Sequence, residues 1–185
     1  DIVASSEIEG LLINSDQVRS SIARRMGIKI TGEVPYGHYV EGIVGMMSDA
    51  VQGYDKPLTN DRLFGWHCCL FPGGRSGYEE INVGEYRVDE MSVISGALDR
   101  EKVHYRAPSP DRVQKEMDVF LKWFNDPSTP RDYIKSAVAH FWFVSIHPFD
   151  DGNGRIGRAI ADMALSQADN SPRRYFSMSR QIGQE

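Results

Sequence analysis

The side chains best equipped for chemistry stand together at residues 147–158, His-Pro-Phe-Asp-Asp-Gly-Asn-Gly-Arg-Ile-Gly-Arg. His147 carries an imidazole that, when neutral, can take a proton from a hydroxyl near physiological pH. Asp151 offers carboxylate oxygen to a hard divalent cation such as Mg2+, which usually shares its coordination between one or two carboxylates and substrate phosphates. Gly152, Asn153 and Gly154 form a turn whose successive backbone N–H groups, with the helix N-terminus behind them, make a nest for an anion. Arg155 and Arg158, three residues apart on the first turn of that helix, can address the same phosphates. Base, metal ligand, nest and cationic clamp together point to phosphoryl-group chemistry.

Other phosphate and metal loops fit less well. Gly152, Gly154 and Gly157 satisfy the spacing G-x-G-x-x-G, but a dinucleotide site needs a buried strand before the glycines and a βαβ unit around them. Here the preceding residues carry a helical pattern. A calcium loop counted from Asp151 puts Arg155 where an oxygen ligand belongs and Ile156 where glycine belongs. The lysine of a P-loop is absent.

The elements that must position these residues are mostly helical. Residues 2–9 form a short helix stopped at Gly10, and a capped helix follows from Ser15 to Gly27, with Val18, Ile22 and Met26 on one face. Residues 40–50 and 61–71 read as two more helices, the second closed by Pro72-Gly73-Gly74. The stretch 72–87 is rich in glycine and polar residues and reads as a long loop. Residues 91–94 and 103–105 are β-type segments flanking a turn at 95–100, a hairpin. Pro108-Ser109-Pro110 introduces a helix with Val113, Met117, Phe120, Leu121 and Phe124 on one face. Another helix runs from Thr129-Pro130 to about Ile146. Its apolar density (Ile134, Ala137, Val138, Phe141, Trp142, Val144) marks it as the central buried helix. The expected fold class is mainly all-α, a helical bundle with one β-hairpin.

Composition narrows the function classes. The chain has 185 residues, 41% of them hydrophobic, enough for one continuous core. Its formal net charge of -5 supplies no long-range attraction to nucleic acid, so this segment is not expected to bind it directly. No apolar run is long enough to cross a bilayer, and the chain opens without a signal pattern, so a cytoplasmic, non-membrane setting is expected. Cys68 and Cys69 are adjacent, a strained arrangement for a disulfide, and read as buried free thiols of a reducing compartment. Asp1 at the start and the polar run 181–185 at the end suggest a fragment of something longer.

The stretch from His147 to Arg158 resembles the complete signature of the Fic family, HPFx(D/E)GNGRxxR, with every specified position matched. The helices from about Asp61 to Leu165 also resemble the Fic core, including Gly84-Glu85-Tyr86-Arg87 before the hairpin. The resemblance implies a Fic-type helical bundle and a protein adenylyltransferase. His147 would deprotonate a Ser, Thr or Tyr hydroxyl of a protein target, which attacks the α-phosphorus of ATP and expels pyrophosphate. Asp151 would hold magnesium, while Gly152, Asn153 and Gly154 seat the phosphates and Arg155 and Arg158 neutralise them. Phe149 would anchor the loop, and Asp150 would face solvent. The hairpin, through Ser92, Val93 and Ile94, would be a flap that aligns a target segment as an added edge strand. Doc-type kinases of the superfamily have lysine where this chain has Gly154, which favours nucleotidyl transfer.

A second, shorter pattern lies at residues 5–10. Ser5-Ser6-Glu7-Ile8-Glu9-Gly10 is similar to the family's inhibitory motif, (S/T)xxxE(G/N), placed N-terminal to the core as in the second class. Glu9 paired with Arg158 would occupy the guanidinium that the γ-phosphate needs. Residues 1–27 then form an inhibitory helix with a linking helix, and 28–185 the Fic core. The resemblance also implies a homodimer. Blander roles remain open: His147 as a helix cap, Glu9 as a solvated glutamate, His140 as a structural histidine, and Trp66, Trp123 and Trp142 as core. His38, His67 and His104 receive no role. The functional alternatives are transfer of another nucleotide or of phosphocholine, removal of AMP from a modified target, and a non-catalytic nucleotide-sensing module.

Overall fold

The computed structural model describes residues 1–95, 102–174 and 177–184. Among them are eight helices: α1 (Ile2–Ile8), α2 (Ser15–Arg25), α3 (His38–Gln52), α4 (Asn60–Leu70), α5 (Pro110–Asn125), α6 (Tyr133–Ile146), α7 (Asn153–Asp169) and α8 (Met178–Ile182). Two small antiparallel hairpins lie between α4 and α5: β1 (Arg75–Ser76) with β2 (Glu79–Glu80), and β3 (Ser92–Ser95) with β4 (Lys102–Arg106). The expected all-α fold class with a hairpin is the one observed.

The local signals explain most boundaries. Helix α2 is capped by Asn14, whose side chain accepts from the Asp16 N–H at 2.7 Å, one residue earlier than the Ser15 start expected. Thr59 caps α4 in the same way, accepting from Arg62 N–H. Helix α6 begins at Tyr133 and not at Pro130, because Asp132 takes the cap and accepts from Lys135 N–H at 2.8 Å. Residues 72–87 are not wholly irregular, since β1 and β2 pair within them in the register Arg75↔Glu80 and Ser76↔Glu79. The larger hairpin pairs Ser92↔Arg106 and Val93↔Tyr105, then shifts register so that Ile94 meets Val103. Its turn at 96–101 lies outside the described residues.

The central helix is α7, not α6. Along α7 the apolar Ile156, Ala159, Ile160, Met163 and Ala164 are fully buried, and so are polar positions on its other faces. Helix α6 buries Ala139, Phe143 and Ile146 but leaves Ile134 at 70% and Phe141 at 76% exposure. Apolar content alone does not say which face meets a neighbour, and here much of it meets solvent. Helices α6 and α7 approach closely at Gly157, where a Cβ would stand 2.9 Å from Val144 Cγ2 and 3.2 Å from His140 Cδ2. The core continues through Met46, Leu63, Met117, Phe120 and Phe124 from α3, α4 and α5. Cys68 and Cys69 are free but exposed, contrary to the buried thiols expected.

Candidate active site

The site is built on the break between α6 and α7. Helix α6 ends at His147, a non-glycine residue in the left-handed region (φ 52, ψ 58), whose N–H bonds Phe143 O at 3.0 Å. That backbone conformation costs about 1–2 kcal/mol and must be held by its surroundings. Arg87 holds it. This buried guanidinium donates to four carbonyl oxygens: His147 at 2.7 Å, Asp89 and Pro108 at 2.6 Å each, and Ile146 at 3.4 Å. The Arg87 N–H also bonds Pro148 O at 2.9 Å. The cation thus satisfies carbonyls that the last turn of α6 cannot pair itself, where the helix dipole favours positive charge.

The His147 ring is half-buried, and Nδ1 lies 3.2 Å from Val144 O. A carbonyl can only accept, so in the neutral ring Nδ1 carries the proton and Nε2 keeps a lone pair. Burial holds the ring below the usual histidine pKa; the Val144 bond opposes this, and Arg87 adds to it. The cap role and the base role are therefore compatible, because the capping bond fixes the tautomer a base requires.

The loop that follows is pinned from beneath. Phe149 is fully buried, stacked on His67 at 4.3 Å between centroids and in edge or tilted contact with Phe64, Tyr86 and Phe143. His67 lies 3.1 Å from Asp151 O through Nε2 and accepts from the Gly84 N–H through Nδ1 at 3.2 Å. Burial pushes its pKa down to about 4, so it stays neutral. Asn153 donates to Phe149 O at 2.7 Å and accepts from Phe149 N–H at 2.9 Å. Its side-chain amide is thus committed to the loop, and the backbone is what it has left for a phosphate. Asp150 does not simply face solvent: it accepts from the backbone and the side chain of Asn82 at 2.9 and 3.0 Å.

Gly152 opens α7 with φ 82, where a Cβ would stand 2.9 Å from Phe71 Cε2. Both the backbone angle and the close aromatic ring require glycine there. The first N–H groups of α7 have no intrahelical partner, which makes this end receptive to an anion. Asp151, with its side chain 38% exposed, accepts from Ser76 Oγ and from Gly152 N–H and lies 3.5 Å from Arg155 Nη2. Arg155 is buried against the Phe71 ring at 4.8 Å, bonds Tyr39 Oη only at 3.5 Å, and leaves Nε with no hydrogen-bond partner. Its donors are incompletely used.

Arg158, 4% exposed, is engaged through Nε and Nη2 by α1 and its C-cap. Its Nε donates to Ser5 Oγ at 2.7 Å, and Nη2 donates to Ser5 O at 2.9 Å and to Glu9 Oε1 at 2.7 Å. Glu9 is delivered by the end of α1, where the Leu11 N–H bonds Ser6 O and the Gly10 N–H bonds Glu7 O around a left-handed Gly10 (φ 72). This Schellman-type stop needs glycine after Glu9. Gly154 makes room on the other side, since a Cβ there would collide with Glu9 Oε1. The β3–β4 hairpin is tied to the same corner by Tyr105, whose hydroxyl donates to Ser145 O at 2.8 Å. Ser92, Val93 and Ile94 lie on β3, whose second edge carries no partner strand among the described residues.

A family model described as Fic/DOC family matches residues 57–165, more than half of the chain. The chain belongs to the Fic/DOC family. A second model, a domain of unknown function (DUF4172), matches residues 1–28, the segment carrying α1 and α2. A uridine 5'-monophosphate transferase from Xanthomonas campestris pv. campestris is 32% identical over 119 residues, 60% of this chain and 21% of the relative. A protein adenylyltransferase Fic from Nematostella vectensis is 36% identical over 94 residues, 50% of this chain and 20% of the relative. A solved Fic family protein from Desulfovibrio desulfuricans G20 aligns with a TM-score of 0.66 and 25% identity over 99% of this chain and 51% of its own. The chain spans about a fifth of the length of these curated relatives and about half of that structure.

The Fic fold brings His147, Asp151, Gly152, Gly154, Arg155 and Arg158 together at one helix junction, with Ser5 and Glu9 against Arg158. Three supporting residues escaped the sequence reading. His67 has no sequence pattern that distinguishes it, Asp150 reads as a surface acid, and nothing around Arg87 in the sequence marks it as a ligand of distant carbonyls. Only the proximity of Arg87 to the hairpin hinted at its part.

Proposed function

We propose that the chain carries a protein adenylyltransferase site held in check by Glu9. The observation that carries this reading is the fixed tautomer of His147, which leaves Nε2 as a proton acceptor beside an anion-receptive helix end. A target Ser, Thr or Tyr hydroxyl gives its proton to Nε2, and its oxygen attacks the α-phosphorus of ATP. The bond to the bridging oxygen breaks, pyrophosphate leaves, and AMP remains on the target. The N–H groups opening α7 receive phosphate oxygens, and the unused donors of Arg155 stabilise their charge. Arg158 adds a second guanidinium once α1 releases it.

Asp151 suits Mg2+, a hard ion that needs only one or two carboxylates when phosphates supply further oxygens. When bound, the ion would neutralise phosphate charge. The Glu9 contact supports inhibition, because the guanidinium the terminal phosphate needs is already paired. The edge of β3 that carries no partner strand among the described residues supports target docking by strand addition. A cytoplasmic setting and a homodimer belong to the same proposal.

Incubation with labelled ATP and magnesium, wild type beside Glu9→Gly and His147→Ala, tests the reading. Label transfer should rise in the first variant and vanish in the second, and transfer that survives His147→Ala would overturn it. A second reading, transfer of UMP, is favoured by the Xanthomonas relative. Competition of ATP with UTP separates the two.

A further inference from the structure

We propose that the Tyr39 hydroxyl binds the terminal phosphate of the nucleotide, so that a residue outside the His147–Arg158 signature helps select a triphosphate. The assignment rests on the nucleotide site proposed above. Tyr39 is the second residue of α3 and is half-buried. It lies outside residues 57–165, so the Fic/DOC match assigns it no part.

The phenol stands between the two cations of the nest. Arg155 Nη1 donates to Tyr39 Oη across a long 3.5 Å, and Tyr39 is close enough to Arg158 to favour its charged form. An N–H takes a lone pair of the phenol oxygen, so the hydroxyl hydrogen is turned away from Arg155. Among the described residues no acceptor receives that hydrogen. Arg155 Nε has no partner either. The two acids at hand are already committed. Asp151 accepts from Ser76 and Gly152 and lies against Arg155, while Glu9 is paired with Arg158. Donors therefore outnumber free acceptors around Tyr39, and the unpaired N–H groups opening α7 add to the surplus. A terminal phosphate, with its three strong acceptor oxygens, matches such a surface.

The neighbours of Tyr39 indicate which phosphate it meets. Under the proposed function the α-phosphorus lies beside His147 and Arg158 takes the terminal phosphate. Tyr39 acts on Arg158, whereas the groups that act on His147 are Val144, Arg87, Asp151 and Glu9. Tyr39 thus belongs to the far end of the triphosphate. Arg155 polarises its hydroxyl, and a polarised donor bonded to an anion is stronger than a neutral pair.

Calorimetric titration of the Glu9→Gly protein, in which Arg158 is vacated, tests this with ATP, AMP and inorganic tripolyphosphate as probes. Adding Tyr39→Phe removes the hydroxyl and keeps the ring. It should weaken ATP and tripolyphosphate about tenfold, the scale of one hydrogen bond to a charged group, and leave AMP within about twofold. An equal loss for ATP and AMP overturns the assignment, because the ring would then only support the loop. Incorporation of 3-fluorotyrosine at position 39 separates contact with phosphate from support of Arg155. Fluorine withdraws electrons, so below the pKa of the phenol a hydroxyl that donates to phosphate should bind ATP more tightly. A hydroxyl that serves Arg155 only as an acceptor would bind it more weakly, which also overturns the assignment. ATP affinity unchanged by Tyr39→Phe removes the role of Tyr39 alone. Absence of ATP binding to the Glu9→Gly protein itself removes the nucleotide site and this role together.

Discussion

Replacing Ser5 with alanine should loosen α1 without touching the acidic residue of the inhibitory pattern. Arg158 donates three hydrogen bonds to α1, two of them to Ser5. Ser5 is fully buried, whereas the Glu9 side chain is 32% exposed and its ion pair is partly screened by solvent. Ser5→Ala deletes the acceptor of Arg158 Nε and leaves that N–H without a partner in a guanidinium that is almost wholly enclosed. Hydrogen bonds to charged groups contribute about 1.5–3 kcal/mol, and each 1.4 kcal/mol is a factor of ten in population. The undocked fraction of α1 should therefore rise about 10- to 100-fold. Amide hydrogen exchange measures this directly: protection across residues 2–8 should fall by that factor while protection in α7 is retained. Glu9→Ala should differ in kind, freeing the guanidinium and raising label transfer more than it accelerates exchange in α1. Unchanged exchange in Ser5→Ala, or a loss of protection spread evenly over the chain, would refute the reasoning.

The remaining predictions concern the loop and its histidines. A base must be neutral to act, and burial lowers the His147 pKa, so the acid limb of label transfer by Glu9→Gly should fall below the ordinary histidine value of 6.5. A limb at or above 6.5 in a pH–rate profile would contradict this. His67 is depressed from 6.5 to about 4 in the fold, so the unfolded chain binds the extra proton first. Stability should fall as pH drops from about 6.5 toward 4, by about 3 kcal/mol, and urea denaturation of His67→Gln should show a shallower fall over that window. Gly152→Ala should cost about 1–2 kcal/mol for the left-handed backbone, and more for the contact with Phe71, measured by the same denaturation. ATP affinity measured by calorimetry should fall with it, as the displaced first turn of α7 withdraws its N–H groups.

Much of the α6–α7 junction is legible because its residues are local in the chain. Capping, the proline break, the glycines and the two arginines occupy consecutive turns, and Gly10 announces the stop that delivers Glu9. The contacts that hold the junction are not local. Arg87 reaches across to the end of α6, His67 crosses from α4 to Asp151, and Asn82 meets Asp150. None of these pairings leaves a spacing signature, since each joins elements whose separation in sequence says nothing of their distance in space. The burial of Asp162 is illegible for the same reason: a single acid on an apolar-periodic helix reads as surface until its neighbours are known.

The inversion of α6 and α7 has a physical cause that bears on function. Helix α6 is apolar in composition but half-exposed, while α7 hides Asn153, Arg155, Arg158 and Asp162 within the core. A hydropathy pattern ranks the first as central because it cannot know that polar groups of the second, Asn153 and Arg158 above all, find partners inside the fold. Asn153 spends its amide on Phe149, and Arg158 spends its donors on Ser5 and Glu9. Burying a guanidinium is tolerable only while such acceptors stay in place, so release of α1 leaves the donors that Ser5 and Glu9 had satisfied vacant. A phosphate can take those donors in turn. Under the proposed inhibition, α1 and the nucleotide therefore compete directly for one side chain.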